Sequence, residues 1–161
     1  MTDAAGTVVR LLGPDEWRTW RDIRLRSLAD APDAFGSTLA RERGFTEDDW
    51  RQRVTGISVL ATVDGVPVAL GGGFRVRDGW MQVFAMWTDP VYRRRGLAVQ
   101  VLDVVVAAAR AEGRRLVLDV AQGNSAARTA YERYGFVATG ESEPIRAGTT
   151  ARADLMVLPE S

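Results

Sequence analysis

Three guanidinium groups, Arg93, Arg94 and Arg95, stand immediately before Gly96, and an apolar run opens at Leu97. Arginine grips phosphate oxygens through paired, charge-assisted hydrogen bonds. A helix beginning at Gly96 would add free backbone N–H groups and the positive end of its dipole. Glycine has no side chain to hold an anion off, and Ala98 keeps the approach clear. The chemistry such a turn fits is the binding of a phosphate or pyrophosphate. Read singly, the run is equally a solvated charge patch, so the rest of the chain has to decide.

The missing residue types narrow the choice. All 21 basic residues among the 161 are Arg, and the chain has no Lys, no His and no Cys. That removes disulfides, thiol nucleophiles and the usual zinc and copper sites. It also removes Schiff bases and the lysine that a P-loop places on a nucleotide phosphate. Gly71-Gly72-Gly73 lies inside a strand pattern rather than at a strand-to-helix turn, which argues against a Rossmann dinucleotide site. Catalysis must then run on carboxylates, hydroxyls, amides and Arg without a metal, or on a ligand that brings its own reactive group. The basic residues are balanced by 21 acidic ones, so no net field draws the protein to nucleic acid or membrane.

These residues need elements to position them. Thr7 to Leu12 reads as a short strand, and Gly13-Pro14-Asp15-Glu16 opens a helix to about Ala29, carrying Trp17, Trp20, Ile23 and Leu28 at helical spacing. Asp30-Ala31-Pro32-Asp33 breaks it, and a shorter helix is predicted from Thr46 to Val54. Two Asp-Gly turns, at 64–65 and 78–79, join Ile57–Val63 to Val66–Phe74 and Phe74–Arg77 to Trp80–Thr88 as hairpins. Leu97 to Glu112 follows as a helix closed by Gly113. Arg115 to Val120 is a strand, Asn124 to Tyr134 a helix ended by Gly135, and Phe136–Ala138 and Leu155–Leu158 the last strands. Hairpins first and alternating strands and helices afterwards predict an α/β fold with a mixed sheet covered by helices. No linker or repeat divides the chain, so residues 1–161 read as a single domain. MTDAAGTVV lacks signal-peptide features and no apolar run approaches a membrane span, so a soluble cytoplasmic protein is expected. Arg, Ala, Val and Gly without Lys look like the product of a GC-rich bacterial genome.

Two motifs in order carry a resemblance. Arg93-x-x-Gly96-x-Ala98, preceded by a strand ending in Asp89-Pro90, resembles the Q/R-x-x-G-x-G/A signature of the GCN5-related N-acetyltransferases. Asn124-x-x-Ala127-x-x-x-Tyr131-Glu132-Arg133-x-Gly135-Phe136 resembles the same family's N-x-x-A-x-x-x-Y-x-x-x-G-F helix. The resemblance extends along nearly the whole chain. It implies a mostly antiparallel sheet, flanked by about four helices and splayed open between the strands at 80–88 and 115–120, with acetyl-CoA in the gap. The pyrophosphate would lie on Arg93, Arg94, Arg95, Gly96, Leu97 and Ala98, and the pantetheine arm along Met86, Trp87 and Thr88. Asn124, Ala127 and Tyr131 would line the cofactor, with Tyr131 protonating the departing thiolate and backbone N–H groups near Trp87 and Thr88 polarising the carbonyl. The thioester is already activated, so an amine can attack it directly. Helix geometry agrees: Asn124 and Tyr131 are seven apart, about two turns, whereas Tyr134 is expected to point well away.

The general base is open. Some members of the family use a Glu on the strand corresponding to 80–88, but here it reads WMQVFAMWT, without an acid. Asp119 is one candidate, and Glu141 or Glu143, in the loop expected after Phe136, are others. The resemblance places an acceptor pocket around Pro32-Asp33-Ala34-Phe35-Gly36-Ser37, Trp87 and residues 141–150. Phe35 and Trp87 could meet an apolar part of an amine, and Asp33 or Glu141 a cationic one. Small amines, aminoglycoside-like compounds, amino acids and peptide N-termini all remain open as acceptors, other acyl groups as donors, and a homodimer is plausible. A non-catalytic acyl-CoA sensor is the alternative function; a nucleic-acid module built on one basic cluster is disfavoured.

Overall fold

The computed structural model describes residues 6–32 and 35–160. The two N-terminal helices of the sequence reading become three. After β1 (Thr7–Leu11) and a 3-10 turn at Pro14–Glu16 come α1 (Trp17–Asp30), α2 (Leu39–Arg43) and α3 (Glu47–Val54). Thr46 caps α3, its hydroxyl accepting from the Asp49 N–H while Asp49 reaches back to the Thr46 N–H, a reciprocal capping box. The short helix α2 escaped the pattern because Leu-Ala-Arg-Glu-Arg has no apolar period. It exists because Thr38 caps it and because Glu42 reaches back to Arg24 of α1.

β2 (Ile57–Val63), β3 (Val66–Arg75) and β4 (Trp80–Thr88) form an antiparallel meander. Asp64 and Gly65 both have positive φ, 50° and 82°, as a type I′ hairpin turn requires. α4 (Leu97–Ala111), β5 (Arg115–Ala121), α5 (Ser125–Tyr134), β6 (Val137–Pro144) and β7 (Arg152–Leu158) complete a seven-stranded sheet in the order β1-β2-β3-β4-β5-β7-β6. β4 and β5 are its parallel pair. The other neighbours run antiparallel.

β6 and β7 are longer than the expected strands at 136–138 and 155–158. Nearly all of β6 is exposed, so its sequence carries no apolar alternation, and backbone pairing with β7 defines it. Glu141 and Glu143 therefore stand on a strand and not in a loop. Asp33 and Ala34 of the expected acceptor loop, and residues 1–5, lie outside the described residues.

Each face of the sheet has its own core. α4 buries Leu97, Val101, Val105 and Ala109 over one face, at helical spacing. α1 and α3 bury Trp17, Trp20, Ile23, Leu28, Trp50 and Val54 over the other. At the glycine run in β3 neighbours from both layers press against the strand. A Cβ on Gly72 would stand 2.7 Å from the Ile57 carbonyl oxygen and 2.8 Å from the Phe84 ring, and one on Gly71 would overlap Met86 and Val101.

Two features of β4 open the sheet. It pairs with β5 through Trp80, Met81 and Gln82 and no further, so the edge from Val83 onward faces a gap. Ala85 has φ 62°, and the pairing with β3 shifts between Leu70 and Gly72, which together mark a β-bulge. The bulge reverses the alternation: Met81 and Val83 pack beneath α4, Phe84, Ala85 and Trp87 pack toward α1, and Met86 returns to the α4 side.

Candidate active site

The gap beside β4 is a cleft of about 450 Å³. Of the cofactor residues expected from the sequence, Met86, Trp87, Thr88, Arg93, Ala98, Asn124, Ala127 and Tyr131 line it. Arg94, Arg95, Gly96 and Leu97 occupy the turn between two of those residues without facing the cleft. The Leu97 side chain is buried in the α4 core, so only its backbone is available. Arg95 stacks over the Tyr92 ring, 5.0 Å from its centroid.

The backbone of the turn leaves several N–H groups open. Arg94 and Gly96 both sit in the left-handed region, with φ 66° and 77°, which turns successive N–H groups toward one side. Gly96 has no side chain to cap α4, and Gln100 donates the first intrahelical hydrogen bond, to the Gly96 carbonyl at 3.1 Å. The N–H groups of Leu97, Ala98 and Val99 are therefore without intrahelical acceptors. No atom lies within 4 Å of where a Gly96 Cβ would stand.

Arg93 has a second task. Its Nε donates to the Thr88 carbonyl at 2.9 Å and its Nη2 to Asp30 at 3.2 Å. Asp30 also accepts from Trp87 Nε1 at 2.8 Å. This network ties the turn to the ends of β4 and α1.

α5 delivers the aromatic residues. Asn124 caps it, its Oδ1 accepting from the Ala127 N–H at 3.2 Å, and also lines the cleft. Tyr131 packs edge-on to Phe136, 5.8 Å between centroids, and burial pushes its hydroxyl up to about 12, so it holds its proton at neutral pH. Tyr134 does not point away as expected; it lines the same cleft. It lies some 60° around the helix from Tyr131, and the cleft is wide enough to take both. Its hydroxyl donates to Asp103 at 2.7 Å, and burial raises its pKa.

A second cavity, about 780 Å³, lies beyond Phe35, whose side chain lines both. Gly36 and Ser37 of the expected acceptor loop line it, and Trp87 and Glu141 do not. Trp87 faces the first cleft because its indole is held by Asp30 and because the bulge turns it toward α1.

Asp119 and Glu143 meet in this second cavity, brought together by the β5-β7-β6 pairing. Burial first, and then the negative charge and hydrogen bond of Glu143, raise Asp119 from 3.8 to about 6, against a weak opposing hydrogen bond from Gln82. Across the cavity Arg24 donates from Nε and Nη2 to Glu42, both at 3.0 Å, in a buried ion pair. The sequence reading missed Arg24, Glu42 and Arg53 of this wall; Arg24 and Arg53 fell inside expected helices, and nothing in their spacing sets them apart from the surface arginines.

A cleft between splayed strands, with an uncapped helix start at its mouth and a protonated tyrosine within, is the arrangement implied by the two motifs. The model of the acetyltransferase (GNAT) family matches residues 17–136, and the chain belongs to that family. Solved structures agree on the fold. A GNAT-family acetyltransferase from Streptococcus pneumoniae is 21% identical with a TM-score of 0.76, covering 94% of this chain and 98% of that one. YncA, a putative acetyltransferase from Salmonella typhimurium solved with its cofactor acetyl-CoA, is 16% identical with a TM-score of 0.76, covering 97% and 96%. The ribosomal-protein-S18-alanine N-acetyltransferase from Escherichia coli is 22% identical with a TM-score of 0.67, covering 95% and 93%. No curated protein sequence matches the chain. Among the described residues no helix is long and apolar enough to cross a membrane.

Proposed function

We propose that the chain, as one unit over residues 1–161, transfers the acetyl group of acetyl-CoA to a primary amine. The reading is carried by one coincidence: the sheet opens beside β4 where Ala98 and Val99, at the uncapped start of α4, and Tyr131 of α5 line one cleft. A diphosphate fits the turn because Gly96 leaves it unobstructed, and the YncA structure holds acetyl-CoA on the same fold.

The cofactor supplies an activated thioester; the protein supplies position and protons. An amine entering from the larger cavity gives up a proton to Asp119, directly or through water, so that its nitrogen forms the new bond to the acetyl carbon. A backbone N–H at the end of β4, near Trp87 and Thr88, holds the charge that develops on the carbonyl oxygen. As the carbon–sulfur bond breaks, Tyr131 gives its proton to the thiolate. Burial first, and then the nearby Glu143, keep Asp119 weakly acidic enough to release that proton again near neutral pH.

The absence of an acid on β4 favours one second reading, a protein that binds acyl-CoA without turning it over. Calorimetry of acetyl-CoA with the intact chain and with Gly96→Glu tests the site. Micromolar binding to the intact protein, lost in the variant, is expected. Gly96→Ala serves as control: it adds about 1 kcal/mol of left-handed strain but no charge, and should keep most of the binding. Acetyl-CoA binding without turnover of any amine would favour the second reading, and no binding would overturn both.

A further inference from the structure

The larger cavity separates its charges. On the β5 and β6 wall stand Asp119 and Glu143; on the helical wall stand Arg24, Arg41 and Arg53, with one carboxylate, Glu42, among them. Glu42 takes two donors of Arg24. The Arg24 side chain is only 7% exposed, and its Nη1 is buried without a hydrogen-bond partner; Arg53 Nε is buried and unpartnered too. Arg41 donates to the Ser37 hydroxyl at 3.2 Å, and neither it nor Arg53 pairs with a described carboxylate. The two guanidiniums flank the Phe45 ring at 5.4 and 4.2 Å. Arg75, also on the cavity, is already held in a fork by Glu112 at 2.8 and 2.7 Å.

Buried guanidinium donors without acceptors are costly unless something completes them, and the surplus positive charge fixes the sign of that group. Given that this cavity receives the acceptor, we infer that the acceptor amine carries a carboxylate of its own, held on the Arg53 side while its nitrogen faces Asp119. Phe74, Phe84 and Phe35 line the same cavity, so the chemistry that fits is an amino acid with an apolar side chain. An amine without an acid group would leave the arginine wall uncompensated. A peptide N-terminus, whose first carboxyl is an amide, would do the same.

The test needs no turnover. Calorimetry on protein saturated with CoA compares N-acetylated leucine, methionine and phenylalanine with their primary amides. The acids should bind at least about tenfold tighter, the scale of a charge-assisted pair. Arg53→Gln should erase the difference, Arg53→Lys should keep part of it, and CoA binding should hold in both. Amides binding as well as acids, an unchanged preference in Arg53→Gln, or no binding of any probe to protein that takes up CoA would each overturn the inference while leaving the acetyltransferase reading standing. Failure to bind CoA at all would overturn both.

Discussion

Tyr131 and Asp119 sit in adjoining cavities and are tuned in opposite senses: burial keeps one protonated and, with Glu143, raises the other into a range where it can take up a proton. Tyr131→Phe removes the proton donor and leaves the ring against Phe136. It should lower kcat by about a hundredfold, the low end for a general acid, with acetyl-CoA affinity unchanged by calorimetry. Asp119 predicts a pH profile of kcat/KM that rises with an apparent pKa near 6. Glu143→Gln removes a negative neighbour, so the rising limb should move to lower pH; a limb that stays in place would show that another group titrates. Stability runs the other way. An acid whose folded pKa is raised favours the folded state only while protonated, so its stabilising contribution is present below pH 3.8 and is lost as pH rises through about 6. Eight of the residues that the resemblance assigned to the cofactor line the cleft, because the two motifs that carry the resemblance are local in sequence. The choice among Asp119, Glu141 and Glu143 was not legible there, since strand pairing across β7 decides which acids meet.

β4 shows what an element can hide from its sequence. WMQVFAMWT is apolar at seven of its nine positions and gives no sign of a bulge, yet Ala85 breaks the parity, and only the packing of Met86 under α4 and Trp87 toward α1 reveals it. The meander around it was legible from two Asp-Gly turns, and α4 from its apolar period. α2 and the length of β6 beyond Ala138 were not, because their polar sequences take shape from a buried ion pair and a neighbouring strand. The glycines of β3 are a requirement of the same packing. Gly72→Ala forces a methyl group against the Ile57 carbonyl and should cost about 2 kcal/mol, within the range for overpacking. Urea unfolding followed by circular dichroism would measure it, and an unchanged midpoint would show that β2 gives way freely.

At the scale of the molecule, β5, β6 and β7 join the rest of the sheet through three residue pairs of β4, and the cleft lies over that seam. A ligand seated there touches β4, α4 and α5 together. Acetyl-CoA at a hundred times its Kd should stabilise the protein by about 2.7 kcal/mol, which for a chain of this size raises Tm by roughly 5–10 °C; a scan with and without the ligand gives the number. The mouth of that cleft has one further consequence. Its cations are guanidiniums, as is every basic side chain of the protein. Lysine would supply the same attraction but also a nucleophilic amine, which a thioester entering or leaving the cleft could acylate. Guanidinium stays protonated at any working pH and does not compete for the acyl group. The protein thus offers its donor no side-chain amine to modify: prolonged exposure to a reactive thioester would not erode the charge of its own entrance, and an acyl group found on any internal position would have to be an ester.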